Sequence, residues 1–149
     1  MANSIQYAKT VSVPSEKIKT NELSGRVRAA FAEYEASAEQ STITMFTIPN
    51  GARMLSGSVS YDALGSSTTI SVGYAAHKKA DGTDQALDVD EYKAAAASTS
   101  AQSVAVLDTI ALGKNSVADA DKDGVPVTVT LAGANGTGTI MLQMFYVID

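Results

Sequence analysis

Between Arg53 and Ala76 the chain reads RMLSGSVSYDALGSSTTISVGYAA, and its apolar residues recur at every second position. Leu55, Gly57, Val59 and Tyr61 form the first set. After the break Ala63-Leu64-Gly65-Ser66-Ser67, Ile70, Val72 and Tyr74 form the second. Successive side chains of a strand point to opposite faces, so this period predicts two strands, each with one buried side. The intervening positions hold Ser56, Ser58, Ser60, Thr69 and Ser71, with Gly73 in the same phase. Small hydroxyls suit a face that packs sideways or stays in water. They point to a scaffold and to no reaction.

The pattern repeats along most of the chain. Val27 to Ala36 alternates, although its alanines and glutamates also permit helix. Thr42 to Ile48 is a bulky, β-branched run that stops at Pro49-Asn50-Gly51. Ser103 to Ile110 reads as a further strand. Val125, Val127, Val129 and Leu131 alternate almost without fault, and Asn135-Gly136 predicts a hairpin turn into a last strand, Gly138 to Ile148. One helix is expected. Asp88 stands three residues before Glu91, a capping pattern, and Tyr92 to Ala97 is alanine-rich. Six or seven short strands with one short inserted helix predict a mainly β domain, an antiparallel β-sandwich or jelly-roll-like fold.

Residues 1–25 stand apart. They are non-periodic, interrupted by Pro14 and closed by Gly25. The division expected is an extended N-terminal arm, 1–25, and a sandwich domain, 26–149. A frayed tail is the plain alternative. Ile5, Tyr7, Val11, Val13 and Ile18 are more apolar surface than a free tail favours, so they are the interface candidates.

At 149 residues the chain fits one domain with its own core. It has no cysteine, which removes disulfides and thiolate metal sites. Net charge is −5. The arm has three lysines against two glutamates, so the body carries all of the acidity and repels nucleic acid. No apolar run reaches the ~18 residues of a membrane span, and the N-terminus lacks the pattern of a signal peptide.

Chemistry-bearing motifs are sparse. Asp119, Asp121 and Asp123 before Gly124 match the first half of a calcium loop. The twelfth position is Thr130 where a bidentate glutamate belongs, and a strand follows where a helix should. A solvated acidic turn is the reading, with a weak divalent cation site as the alternative; no other cofactor is expected. Gly133 to Gly138 has the wrong order for a phosphate loop. His77 is the only histidine, and no serine sits in a nucleophile elbow. Glu33, Glu35 and Glu39 suit a strand edge better than paired acid–base work. Tyr34, Tyr61, Tyr74 and Tyr92 could stack on a sugar, but buried tyrosines are commoner. No enzyme activity is expected.

Pro49 to Arg53, Asp62 to Gly65 and Val72 to Tyr74, with Ala111 to Gly113 and the closing strand Gly138 to Tyr146, resemble small structural proteins of tailed bacteriophages. The likeness runs from about Arg26 to Ile148. It implies a virion protein assembled in the host cytoplasm. The role expected is a capsid decoration or cement subunit on the outer surface, bound to the major capsid protein. A neck, tail or fibre-base protein, or a glycan-binding module, is the alternative. The closing strand is apolar on both faces, with Met141, Gln143, Phe145 and Val147 on one side. Such a strand needs cover on both sides. The Asp88 helix or another subunit would supply it, and a homo-oligomer, a trimer by analogy, is expected.

Overall fold

The computed structural model describes residues 2–14 and 16–148. Eight strands form two four-stranded antiparallel sheets. The first contains β1 (Arg26–Glu39), β10 (Gly136–Ile148), β3 (Arg53–Tyr61) and β8 (Gln102–Val106), in that order. The second contains β2 (Thr42–Ile48), β9 (Val125–Ala132), β4 (Thr69–Tyr74) and β7 (Asp88–Ala97). A small ribbon, β5 (His77–Lys78) with β6 (Asp84–Gln85), is inserted between β4 and β7.

The order has a simple logic. First pairs with last, β1 with β10; next β2 with β9, then β3 with β8, and finally β4 with β7. One long hairpin rolled into two sheets gives this nesting, which is the jelly roll. The expected antiparallel β-sandwich is therefore present.

The core lies between the sheets. Met54, Val59, Ile140, Leu142 and Met144 meet Ile48, Ile70, Val72, Val127 and Val129, and all are essentially inaccessible. A bulge shapes β3. Phe145 lies opposite Ser56 while Tyr146 lies opposite Met54, so Leu55 is an extra residue. The extra residue switches the phase and brings Met54, in place of Leu55, to the inner face with Gly57, Val59 and Tyr61.

Two local expectations fail. The segment from Asp88 is strand β7 and contains no helix. Its capping aspartate still acts locally: Asp88 Oδ1 accepts from the Asp90 amide at 3.2 Å, an aspartate turn in place of a helix cap. Strand β4 would otherwise leave one edge unpaired, and pairing that edge outweighs the weak helix preference of alanine. The Asn135-Gly136 hairpin is also absent. Strands β9 and β10 belong to different sheets, and the turn carries the chain across the sandwich. Gly133 makes the departure, at φ +83°, where a Cβ would lie 2.2 Å from the Ser67 carbonyl oxygen.

The N-terminal segment is not extended throughout. Residues Ile5–Val11 form helix α1, with Ser4 Oγ accepting from the Tyr7 amide at 3.1 Å. This serine cap is the signal that the scattered apolar spacing hid. The one α-helix of the described residues is therefore at the N-terminus, not inserted at Asp88.

Candidate functional site

The outer face of the first sheet can be built from its register. Val27, Ala29, Phe31 and Glu33 of β1 lie beside Val147, Phe145, Gln143 and Met141 of β10. Beyond them, Ser56, Ser58 and Ser60 of β3 stand beside Phe145, Gln143 and Met141. Ser103 of β8 completes the serine side, accepting from Ser60 Oγ at 2.8 Å. The result is an apolar strip next to a hydroxyl strip. Val27 and Phe31 are about 60% exposed (63% and 60%), and Met141 is 39% exposed. Single exposed apolar residues are ordinary; here they stand in one row on one face of the sheet.

The N-terminal segment covers one end of this face. Asn21 Nδ2 donates to the Gly51 carbonyl at 2.7 Å. Arg53 Nε donates to the Asn21 carbonyl at 3.2 Å and its Nη1 to the Asn115 carbonyl at 2.7 Å. Arg53 also pairs with Glu22 at 3.7 Å. At Gly25 a Cβ would fall 2.3 Å from Val147 Cγ2, so the chain lies flat on the end of β10, and Val147 is buried there. Residues 21–25 are thus part of the body.

Upstream of that clamp the attachment is thin. Lys9 pairs with Glu22 at 3.5 Å, and Gln6 donates to Glu22 at 3.3 Å. The Gln6 bond, ahead of the Lys19 amide and Lys9, holds the Glu22 carboxyl below its usual range. Helix α1 buries none of its residues. Ile5, Tyr7 and Val11 are exposed, Val13 almost wholly so, and Ile18 is half-buried. Four of the five interface candidates therefore face solvent.

The three aspartates do not converge. Asp119 Oδ1 accepts from the Ala80 amide at 3.0 Å, Asp121 Oδ1 from the Asp123 amide at 2.9 Å, and Asp123 Oδ1 from Lys122 Nζ at 2.6 Å. Among the described residues no three acidic or imidazole side chains gather as a metal site. The loop's visible work is structural. His77 contacts the Ala75 and Asp119 carbonyls through its two ring nitrogens, at 2.9 and 3.3 Å, and ties β5 to this turn.

Of the acidic residues on β1, Glu35 accepts from Thr139 Oγ1 at 2.6 Å, and Glu39 accepts from Tyr34 at 2.8 Å and Ser41 at 2.8 Å. The tyrosine bond, then the serine bond, hold the Glu39 carboxyl below its usual range. They brace the strand end, and Glu33 remains exposed on the apolar strip. No helix of the described residues is long and apolar enough to cross a membrane.

The strand order defines the class: a jelly-roll β-sandwich. Chains of the same fold occur in phage capsids. The capsid of Ralstonia phage GP4 contains one that is 21% identical, with a TM-score of 0.62 over 84% of this chain and 86% of that one. The cyanophage Pam1 capsid asymmetric unit contains another, 17% identical with a TM-score of 0.58, again over 84% and 86%. A third, from the acid-stable capsid of Helicobacter pylori bacteriophage KHP30, is 15% identical with a TM-score of 0.50, over 82% and 87%. No protein-family profile and no curated protein matches the sequence.

Proposed function

We propose that this chain is a non-enzymatic structural protein of a tailed-phage virion, a decoration or cement subunit on the outside of the capsid that binds the major capsid protein. The carrying observation is the pairing of a jelly roll, of the kind found in three phage capsids, with an exposed apolar strip and an exposed N-terminal helix. A lattice offers the same contact many times. Modest affinity per copy then suffices once copies are linked through neighbours. In this reading the sheet face contacts a second copy, most simply within a trimer, and residues 2–18 reach the shell or a neighbouring subunit. A net charge of −5 suits a position out of contact with nucleic acid.

The test is reconstitution on particles that lack the protein. Full-length chain should sediment with them at high copy number. A chain beginning at residue 19 keeps the Asn21–Arg53 clamp and should stay folded by circular dichroism, yet show reduced occupancy. Equal occupancy would remove the role of the N-terminal helix. Failure of the full chain to bind particles, together with binding to host cells, would favour a surface-recognition module.

A further inference from the structure

At one end of the sandwich an open cavity of about 200 Å³ is lined by Tyr74, His77, Lys79, Gln85, Glu91, Tyr92, Asp119 and their neighbours. A break in the sheet creates it. Along β4 the pairing with β7 jumps, Val72 standing opposite Lys93 but Tyr74 opposite Asp88. Residues 89–92 are thrown out of the ladder, and the excursion presses on Gly73, whose Cβ would lie 2.0 Å from the Asp88 carbonyl oxygen. An interruption of a ladder sets side chains where regular pairing cannot. Here it delivers Glu91 and Tyr92 to the cavity.

The lining is electron-rich. Tyr74 meets His77 edge-on at 5.3 Å and Tyr92 at 5.9 Å between centroids. Gln85 Nε2 is already spent on the Tyr74 hydroxyl, at 3.1 Å. The Glu91 carboxylate has no salt-bridge partner among the described residues, although it is half-buried. Burial first, then Asp88 and Asp90, push its carboxyl above the usual range, and no cation offsets them. Lys79 also lines the cavity, but it makes no ion pair with Glu91 and is not among the charges acting on that carboxyl. A sugar needs an open ring face and free donors. Tyr92 is only 5% exposed and the Gln85 amide is committed to Tyr74. A cation satisfies what is left: one unpaired carboxylate beside the half-buried Tyr74 ring.

We infer that this cavity receives the cationic head of an arginine or lysine side chain presented by a neighbouring polypeptide. The cationic chemistry is read from the pocket itself; that a polypeptide presents it rests on the virion reading, in which each copy packs against neighbouring chains.

The test is an NMR titration of the isotopically labelled full chain. Acetyl-glycyl-arginyl-glycinamide should shift the Tyr74 and Tyr92 ring resonances saturably in the millimolar range. The citrulline peptide, neutral but of the same shape, should bind at least 10-fold more weakly. Glu91→Gln should weaken the arginine peptide at least 10-fold while leaving the melting temperature unchanged or higher, which separates ligand binding from a structural role. Equal binding of the citrulline peptide, or undiminished binding by Glu91→Gln, would overturn the inference. So would saturable shifts from methyl α-glucoside with none from the arginine peptide. Binding of spermidine with none of the peptide would overturn the polypeptide source. Because the probe is a peptide and no particle is involved, this test can fail while capsid binding stands.

Discussion

Replacing Gly73 with alanine adds one methyl group and nothing else. The glycine does not occupy a left-handed conformation, so alanine carries no torsional penalty there. The new Cβ would lie 2.0 Å from the Asp88 carbonyl oxygen, 2.6 Å from the Val89 carbonyl carbon and 2.8 Å from the Asp90 amide nitrogen. All three are backbone atoms, so no side chain can rotate away. The β7 excursion must lift from the sheet and uncover Thr128, which lies opposite Gly73 and is fully buried. Overpacking of this kind costs about 1–3 kcal/mol, and backbone-only contacts put the variant at the upper end, near 3. For a chain of this size that is a loss of about 6–12 °C in melting temperature. Calorimetry gives the number, and the Tyr74 and Tyr92 ring resonances should shift with it because the same excursion carries the cavity wall. A Gly73→Ala protein as stable as the parent would refute the account of β7.

Leu142→Ala, at a fully buried position in the centre of the first sheet, should cost about 2–5 kcal/mol by urea unfolding; a loss under 1 kcal/mol would contradict its place in the core. Tyr34→Phe removes the main bond holding the Glu39 carboxyl low, so the Glu39 titration midpoint should rise. Stability linked to that depressed carboxyl is present above pH 4.5 and is lost as pH falls through its folded value, so the variant should lose stability at higher pH than the parent. Glu91 has the opposite sign: its raised carboxyl makes the native state less stable as pH climbs from 4.5, and Glu91→Gln should flatten that decline. Asp121→Ala should cost about 1 kcal/mol for one turn hydrogen bond, and chelator should leave the melting temperature of both proteins unchanged; a chelator-induced fall seen only in the parent would establish a cation site.

What was legible in the sequence is what short-range physics decides. Period-two alternation located β3, β4, β9 and β10, and β-branched density located β2. The missed pairing is a matter of distance along the chain. Asn135-Gly136 is a local turn signal, and it does turn the chain, but the partners of β10 are β1 and β3, roughly 80 to 120 residues away in sequence. Nothing in a six-residue window distinguishes a hairpin from a crossing between sheets. Asp88 failed for a related reason: an aspartate turn and a helix cap begin with the same residue and the same acceptor. The closing strand was read correctly as apolar on both faces. Its proposed helical cover does not exist, and residues 21–25 cover only the Val147 end. The end cavity left one trace in the sequence, the tyrosines at 74 and 92 and the lone His77. Their convergence depends on the break in β7, which no spacing rule announces.

The central claim is that this jelly roll serves on a phage shell through its exposed sheet face and N-terminal helix. A cryo-EM reconstruction of the parent particle tests it most directly. The account predicts density fitting residues 26–148 at repeated outer positions of the capsid lattice, with Val27, Phe31 and Met141 buried against a second copy and residues 2–18 against a neighbour. Particles without this density on the shell, or with the Val27–Phe31 face fully exposed to solvent, would contradict it.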